Sequence, residues 1–327
     1  MRAIVQHGYG SPERVLRLED VEQPVPAEHE VLVRVRSSSI NAGDWRRVYA
    51  SPFFIRLMGG VRRPSERELG GDVAGVVEAV GQGGSSLEVG DEVYGIRHGA
   101  LADYVAGQNF VRKPHNLSFD QAAAVPIAGV TAIQALQKHG NIQPGERVAI
   151  HGAGGGVGTF AVQLAKAFGA QVTAVTSSDK GDLVRSLGAD RVVDYTREDF
   201  TRGEERYDLI VEIGGNVPVR SMSRALAPGG RIIIVGAGRG RFGVLSRIIG
   251  VTIRRRLGQP IKFFVANGPY QEQLETLREL IEAGKVRPVI ERTYDLADVA
   301  QAIRHVATER TSGKVVVTIN QHGYAAS

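Results

Sequence analysis

Residues 148–166 read VAIHGAGGGVGTFAVQLAK and combine three kinds of sequence in a fixed order. The apolar run Val148–Ile150 has the length of a buried strand. A helical period follows, with Ala161 and Leu164 on one face. Between the two lie five glycines within seven residues, in the range Gly152–Gly158. We therefore predict a strand, a tight turn and a helix.

The spacing of these glycines is typical of a dinucleotide site. Ala153-x-Gly155-x-x-Gly158 fits the G-x-G-x-x-G fingerprint, with alanine in the first position. Such a turn presents backbone N–H groups at the start of a helix, where the helix dipole favours a pyrophosphate. A flexible glycine-rich loop is the alternative, but the flanking strand and helix favour the dinucleotide. The turn residues expected to contact it are Gly154, Gly155, Gly156, Val157 and Gly158.

The two parts of the chain differ in their pattern, and the change falls near residue 122. Beyond that point short apolar strands alternate with helical segments, which predicts an α/β fold with a doubly wound parallel sheet. Before it, strand patterns dominate, such as the alternating segment Glu30–Arg36. A length of 327 residues also favours two domains over one.

The composition limits the classes of function. The chain has no cysteine, which excludes disulfides, thiolate zinc ligands and a cysteine nucleophile. The eight histidines form no close pair at ligand spacing. No apolar run approaches the roughly 18 residues of a membrane span, and the N-terminal residues lack the apolar core of a signal peptide. We expect a cytoplasmic protein without a membrane span.

The net charge of +5 is unevenly distributed. No acidic residue lies in the stretch 213–271, which holds ten arginines and lysines. Contact with a phosphorylated substrate, nucleic acid or a membrane surface is one interpretation, and a solvated basic face is the other. Single-stranded nucleic-acid sites usually interleave aromatic and basic residues, whereas residues 239–256 contain only Phe242. The pattern therefore gives little support to a nucleic-acid partner.

Further motifs accompany the glycine turn. They are Asn41–Trp45, Gly71–Val77, Gly90–Gly95, Leu187–Asp190 and Ser312–Val316. With them, nearly the whole chain resembles the zinc-free medium-chain dehydrogenases/reductases, in the quinone oxidoreductase-like and enone reductase-like branch. The resemblance implies a GroES-like β-rich catalytic domain formed by residues 1–122 and 267–327, with a Rossmann domain inserted at 123–266. It also implies substrate binding in an interdomain cleft, and a homodimer joined through the Rossmann sheets.

The chain departs from the zinc-bearing members of that family. Their Gly-His-Glu motif supplies a histidine ligand, whereas this chain has Gly70, Gly71 and Asp72. We therefore expect no zinc, and hydride transfer from NADPH to a quinone or an α,β-unsaturated carbonyl. The alternatives are a zinc-independent alcohol dehydrogenase-like enzyme, and a non-catalytic NADPH-binding protein whose basic segment 239–256 binds RNA or a membrane.

The end of the second Rossmann strand favours NADPH over NADH. An NAD site usually has a carboxylate there, to bind the ribose 2′-hydroxyl. Here small hydroxyl residues and a lysine follow the strand. In relatives a serine, a lysine and a tyrosine hold the 2′-phosphate, and Ser177, Lys180 and Tyr195 match them. Asp179 leaves NADH open as a ribose ligand, with helix capping as its alternative role.

The remaining site residues also follow from the resemblance. At the nicotinamide end they are Asn41, Thr131, Gly236, Phe264 and Val265. Thr131 has helix capping and Phe264 core packing as alternative roles.

Three side chains are candidates for catalysis. Asn41 is a donor to a substrate carbonyl, Tyr49 is a proton donor or a surface residue, and Asp44 acts in chemistry or orients its loop.

Overall fold

The structure is a computed structural model, which describes residues 1–51, 56, 59–215, 217–235, 250–252, 258 and 260–320. The chain forms two compact units. Unit 1 comprises Met1–Ile127, Gly268–Glu282 and Pro288–Ser327, and unit 2 comprises Ala128–Asn267 and Ala283–Arg287. Among the residues so described, no helix has the length and apolar character needed to cross a membrane.

The strands are numbered along the chain. They are β1 (Arg2–Gln6), β2 (Leu16–Asp20), β3 (Val31–Ile40), β4 (Asp72–Val80), β5 (Glu92–Ile96), β6 (Tyr104–Gly107), β7 (Phe110–Arg112), β8 (Arg147–His151), β9 (Gln171–Thr176), β10 (Arg191–Asp194), β11 (Tyr207–Glu212), β12 (Leu226–Val235), β13 (Ile261–Phe264), β14 (Ile290–Asp295) and β15 (Lys314–Thr318).

The helices are numbered in the same way. They are α1 (Pro12–Val15), α2 (Ala42–Tyr49), α3 (Phe119–Ala123), α4 (Pro126–Ile133), α5 (Gly156–Ala167), α6 (Gly181–Ser186), α7 (Val219–Arg224), α8 (Gln271–Glu282) and α9 (Val299–Ala307). A π-helix at Gln134–His139 follows α4, and 3₁₀ turns at Ser178–Lys180 and Leu296–Asp298 precede α6 and α9.

The described strands of unit 2 form a six-stranded sheet in the order β10-β9-β8-β11-β12-β13. Every pairing in it is parallel. The strands are apolar along most of their length because both faces of such a sheet are covered. This order confirms the predicted doubly wound Rossmann sheet. From β8 to β10 the strands are added on one side, and from β11 to β13 on the other, so the strand order reverses between β8 and β11.

Seven of the nine described strands of unit 1 form one sheet, ordered β14-β15-β3-β4-β5-β7 with β6 also on β3, and β1 and β2 pair as a separate antiparallel sheet. All its pairings are antiparallel except β14 with β15. Val33, Val73 and Val315 pack in its hydrophobic core. β15, from the end of the chain, lies between β14 and β3, which gives the expected GroES-like unit its C-terminal contribution.

Two details differ from the sequence prediction. From the sequence, Pro126 is expected to end the preceding helix and Gly129 to begin the next one, but α4 begins at Pro126 itself. Proline suits the first turn because its missing N–H needs no intrahelical partner there. The domain bounds also differ: residues 123–127, assigned by sequence to the Rossmann domain, belong to unit 1, whereas Asn267 and Ala283–Arg287, assigned to the GroES-like domain, belong to unit 2. The Gln163 side chain holds Arg287 there, donating to its carbonyl at 3.0 Å and accepting from its N–H at 2.9 Å.

Candidate active site

The glycine turn joins β8 to α5 at the carboxyl edge of the parallel sheet. Gly152 leaves the strand with φ of 83°, in the left-handed region that favours glycine. The residue preceding α5 as its N-cap is Gly155. Because glycine has no side chain, it cannot cap the first-turn N–H groups, which stay available to an anion together with the helix dipole.

Two glycines of the turn are required by their neighbours. A Cβ on Gly158 would lie 2.1 Å from the Gly152 carbonyl oxygen, so the helix approaches the turn as closely as backbone allows. A Cβ on Gly154 would lie 2.6 Å from Cδ of Lys180 and 2.9 Å from Oγ1 of Thr176. The lysine side chain therefore lies across the turn, and the cradle fits a phosphate-bearing dinucleotide.

The three residues expected at the ribose phosphate meet around Thr176, the last residue of β9. Ser177 follows it directly, Lys180 lies beside its hydroxyl near Gly154, and the Tyr195 N–H donates to its carbonyl at 3.1 Å. The Tyr195 side chain is 48% exposed. The structure thus brings a hydroxyl, a cation and a phenol to the same edge as the glycine turn.

Asp179 lies within the 3₁₀ turn Ser178–Lys180 and is exposed. The suggestion that it caps a helix is wrong. The N-cap of the 3₁₀ turn is Ser177, and the N-cap of α6 is Lys180.

The residues expected at the nicotinamide end have different environments. Thr131 is buried inside α4, five residues after the helix begins. Phe264 is buried at the end of β13, with its ring centroid 4.3 Å from that of His139. Val265 follows and is 66% exposed. Gly236 and the basic segment 239–256, apart from residues 250–252, lie outside the described residues.

A buried histidine–glutamate pair lies at the carboxyl ends of β8 and β11, where the strand order reverses. His151 ends β8 and Glu212 ends β11, and Nδ1 of the histidine lies 2.8 Å from Oε2 of the glutamate. The other carboxylate oxygen accepts from the Gly215 N–H at 2.6 Å. A Cβ on Gly214 would lie 2.6 Å from the imidazole. The pair fixes the loop after β11 at the edge where dinucleotides bind in such sheets.

In unit 1 a separate polar cluster surrounds Asp72, whose side chain is fully buried. Its Oδ2 accepts from Ser39 Oγ at 2.5 Å, from Asn41 Nδ2 at 2.8 Å and from Lys314 Nζ at 3.0 Å. Its Oδ1 accepts from the Ile127 N–H at 2.7 Å. Four hydrogen-bond donors therefore converge on one buried carboxylate.

Asp44, at the start of α2, lies beside this cluster. Its Oδ2 accepts from the Asn41 N–H at 2.7 Å. Burial raises the pKa of Asp44 to about 6, and the charge of Asp72 acts in the same direction. Backbone N–H groups of Asn41 and Gly70 and the charge of Lys314 oppose that rise. Asp44 thus changes protonation near neutral pH.

Tyr49, the third catalytic candidate, is placed differently. It is five residues after Asp44 on α2, which turns it to another face of the helix. Its ring packs against the hydrophobic core of unit 1. Burial raises the pKa of its hydroxyl, the Glu13 charge adds to this, and the Arg304 charge opposes it. The structure brings Asn41 and Asp44 together and sets Tyr49 among other neighbours.

The residues around Asp72 do not fit a zinc ion. The carboxylate is occupied by the ammonium group of Lys314. At position 71, where zinc-bearing members have histidine, glycine has no side chain to supply a ligand. Within the described part of the chain, no three histidine, cysteine or acidic side chains are grouped as a metal site.

No role for Lys314 was predicted from the sequence, although this residue lies within the motif Ser312–Val316. Lys314 and Asp72 each begin an apolar strand. A charged residue at the head of a buried strand requires an opposite charge, and this signal was available in the sequence.

Two family models match the chain. An alcohol dehydrogenase GroES-like domain matches residues 27–115, and a zinc-binding dehydrogenase matches residues 187–317. Mouse mitochondrial NAD(P)H oxidoreductase RTN4IP1 is 33% identical, covering 98% of this chain and 89% of the relative. Human quinone oxidoreductase is 31% identical, covering 98% of both chains. The solved quinone oxidoreductase from Coxiella burnetii superposes with a TM-score of 0.86 at 28% identity, covering 98% of this chain and 99% of that one.

Proposed function

Because the chain belongs to the medium-chain dehydrogenase/reductase family, we propose that it is a zinc-independent oxidoreductase that reduces a quinone or an α,β-unsaturated carbonyl with NADPH. The observation that carries the proposal is the uncapped glycine turn with Lys180 across it. The turn suits a pyrophosphate, and the lysine beside Ser177 and Tyr195 suits a ribose 2′-phosphate.

When bound, the dihydronicotinamide supplies a hydride and is oxidised to NADP⁺. With an enone as substrate, that hydride would add to the β-carbon as the C=C π pair moves to give an enolate, and a proton from solvent would then add to the α-carbon. In a quinone the ring accepts the hydride and a proton. Asn41 stabilises the negative charge on the oxygen through its amide N–H. We propose substrate binding in the interdomain cleft that the family resemblance predicts.

Alcohol oxidation is the competing function, and the family descriptions that name alcohol and zinc-binding dehydrogenases favour it. That reaction usually uses a metal to lower the pKa of the alcohol. The Lys314–Asp72 ion pair supports the reductase instead, because the ammonium group occupies the carboxylate.

The proposal also includes a cytoplasmic location and a homodimer through the Rossmann sheets. β13 ends the order of described strands in unit 2, so its outer edge suits a second copy.

The cofactor is tested by titrating the purified protein with NADPH and with NADH, following nicotinamide fluorescence. We expect tighter binding of NADPH. Lys180→Met should weaken NADPH binding about 10- to 100-fold, because it removes a charge-assisted contact to phosphate, and should leave NADH binding unchanged. Lys138→Met, at an exposed lysine of the π-helix, is the matched control. Preference for NADH would move the ribose contact to Asp179.

The reaction is tested by following NADPH oxidation through the absorbance of the reduced nicotinamide ring, with a panel of quinones and enones. Ethanol with NADP⁺, with and without zinc, is the opposing arm. Turnover of a quinone or enone supports the proposal. Zinc-dependent ethanol oxidation, or no turnover with the whole panel, would overturn it.

A further inference from the structure

Lys314 is a buried lysine whose two hydrogen-bond partners both belong to the candidate active site. The residue is 3% exposed, and its Nζ donates to Asn41 Oδ1 at 2.6 Å and to Asp72 Oδ2 at 3.0 Å. A buried ammonium–carboxylate pair adds little net stability compared with apolar residues of the same size. The pair is therefore expected to act mainly through the side chain that it orients.

The pair determines the direction of the Asn41 carboxamide. An ammonium group only donates hydrogen bonds and a carboxylate only accepts them. The amide oxygen must therefore face Lys314, and the amide nitrogen must face Asp72. Turning the amide by half a rotation would create two repulsive contacts in place of two attractive ones. The charges thus select a single orientation of a side chain that is otherwise symmetric in shape.

This orientation leaves one amide N–H of Asn41 for another partner. Asparagine has two such donors, and one of them goes to Asp72 at 2.8 Å. Asn41 is only partly buried, unlike Asp72 and Lys314. Because its oxygen accepts from a cation, the amide is polarised and its remaining N–H is a stronger donor.

The fold fixes the position of the lysine. Gly313, just before it, has φ of 86°, and a Cβ there would lie 2.4 Å from the Val289 carbonyl oxygen. The next residue, Val315, is paired with Ile40 in the sheet. Lys314 is therefore held beside the residue that follows Ile40, which is Asn41.

We propose that Lys314 is a positioning residue that, with Asp72, holds the Asn41 carboxamide so that its remaining N–H receives the carbonyl oxygen of the quinone or enone. The inference rests on the proposed function. Lys314 acts through Asn41 and contacts no substrate. Its fixed positive charge, one side chain away from the reacting oxygen, favours the negative charge that develops there.

The kinetic test compares Lys314→Met, Lys314→Arg and Lys113→Met. Lys113 is the matched control, since it is a buried lysine of the same unit whose Nζ lies 3.1 Å from Glu92 Oε2. Lys314→Met should lower kcat about 10- to 100-fold, which is less than the roughly 10²- to 10³-fold loss seen when an oxyanion donor is removed outright, with little change in KM for NADPH. Lys314→Arg should recover part of the loss, and Lys113→Met should retain the kcat of the parent.

A second readout does not depend on turnover. The side-chain amide of Asn41 is observed by NMR after selective ¹⁵N-asparagine labelling and is assigned by its loss in Asn41→Ser. In the parent its two protons should be well separated, because one of them is held by a buried carboxylate. In Lys314→Met they should approach the values of an exposed asparagine, and in Lys113→Met they should not move.

Each outcome decides the inference. Equal effects of Lys314→Met and Lys113→Met on kcat and on the Asn41 resonances would overturn it. If Lys314→Met does not fold, Asp72→Asn/Lys314→Met removes both charges and should show the same loss of kcat. If the parent reduces no quinone or enone, the proposed function fails, and the NMR comparison alone decides whether Lys314 orients Asn41.

Discussion

Each unit contains a buried or half-buried ion pair, but the two cations use their hydrogen bonds differently. In unit 2 all five N–H groups of Arg231 are engaged. Their acceptors are the Gly140, Asn141 and Asp208 carbonyl oxygens and both carboxylate oxygens of Glu146. In unit 1 Lys314 donates to two side-chain oxygens within the described residues, although an ammonium group has three donors.

The acceptors show what each pair does. Arg231 mainly binds backbone, so it ties the loop before β8 to the start of β11, at the amino edge of the sheet. Ligands of such sheets bind at the opposite edge. Lys314 binds two side chains of the candidate site instead. We therefore expect Arg231 to stabilise the fold, because all its N–H groups are engaged, and Lys314 to orient the side chains that it contacts.

The largest expected effect is a loss of stability, and it tests the role of Arg231. Arg231→Met removes two hydrogen bonds to Glu146 and three to carbonyl oxygens, and should lower the free energy of unfolding by about 3 kcal/mol. Arg147→Met is the control, because Arg147 makes one exposed contact of 3.6 Å to Asp208 and should cost under about 1 kcal/mol. Denaturant unfolding measures both, and turnover per folded molecule should be unchanged. Equal costs would remove the distinction between the pairs.

A smaller effect on stability is expected from Asp44, the acid beside the Asp72 cluster. The pKa of Asp44 is raised from 3.8 to about 6, so the folded protein binds this proton more tightly than the unfolded chain. The resulting stability is complete below pH 3.8 and is lost as the pH rises through 6. Asp44→Asn cannot ionise, and relative to the parent it should gain about 1 to 3 kcal/mol between pH 4 and pH 8. Thermal unfolding across that range measures the difference, and a constant difference would contradict it.

The smallest expected effect comes from Glu146, whose contribution to stability depends on pH in the opposite direction to that of Asp44. Burial opposes ionisation of Glu146, but hydrogen bonds from Arg231 and the Gln143 N–H, with the Arg231 charge, hold its pKa below the usual range. Its contribution is present above the unfolded pKa and is lost as the pH falls through the folded one. Glu146→Gln should cost about 1 kcal/mol at pH 7, and the cost should fall toward zero on acidification. A cost that grows in acid would reverse the contrast with Asp44.

The sequence predicted the parts of the fold that depend on local pattern. The glycine turn and the alternation of strands and helices were sufficient for the parallel sheet and its binding edge, because period and turn chemistry act over a few residues. The start of α4 at Pro126 was missed because a proline begins a helix as readily as it ends one.

Only part of the candidate site in unit 1 could be predicted from the sequence. Asn41 and Asp44 are neighbours in sequence, whereas Lys314 is 242 residues from Asp72. Their contact arises from the insertion of β15 beside β3, which no local pattern specifies. The face of α2 on which Tyr49 lies likewise depends on which elements pack around the helix, here the core near Glu13 and Arg304.

The position of β15 also sets an order of assembly. β15 fills an interior place in the sheet of unit 1, and β3, its neighbour, was made almost three hundred residues earlier. During synthesis the whole of unit 2 emerges first, so its glycine turn is complete while the buried carboxylate of Asp72 still lacks its cation. A nascent chain therefore completes its glycine turn before the cluster around Asp72, and that cluster gains Lys314 only when β15 has paired with β3.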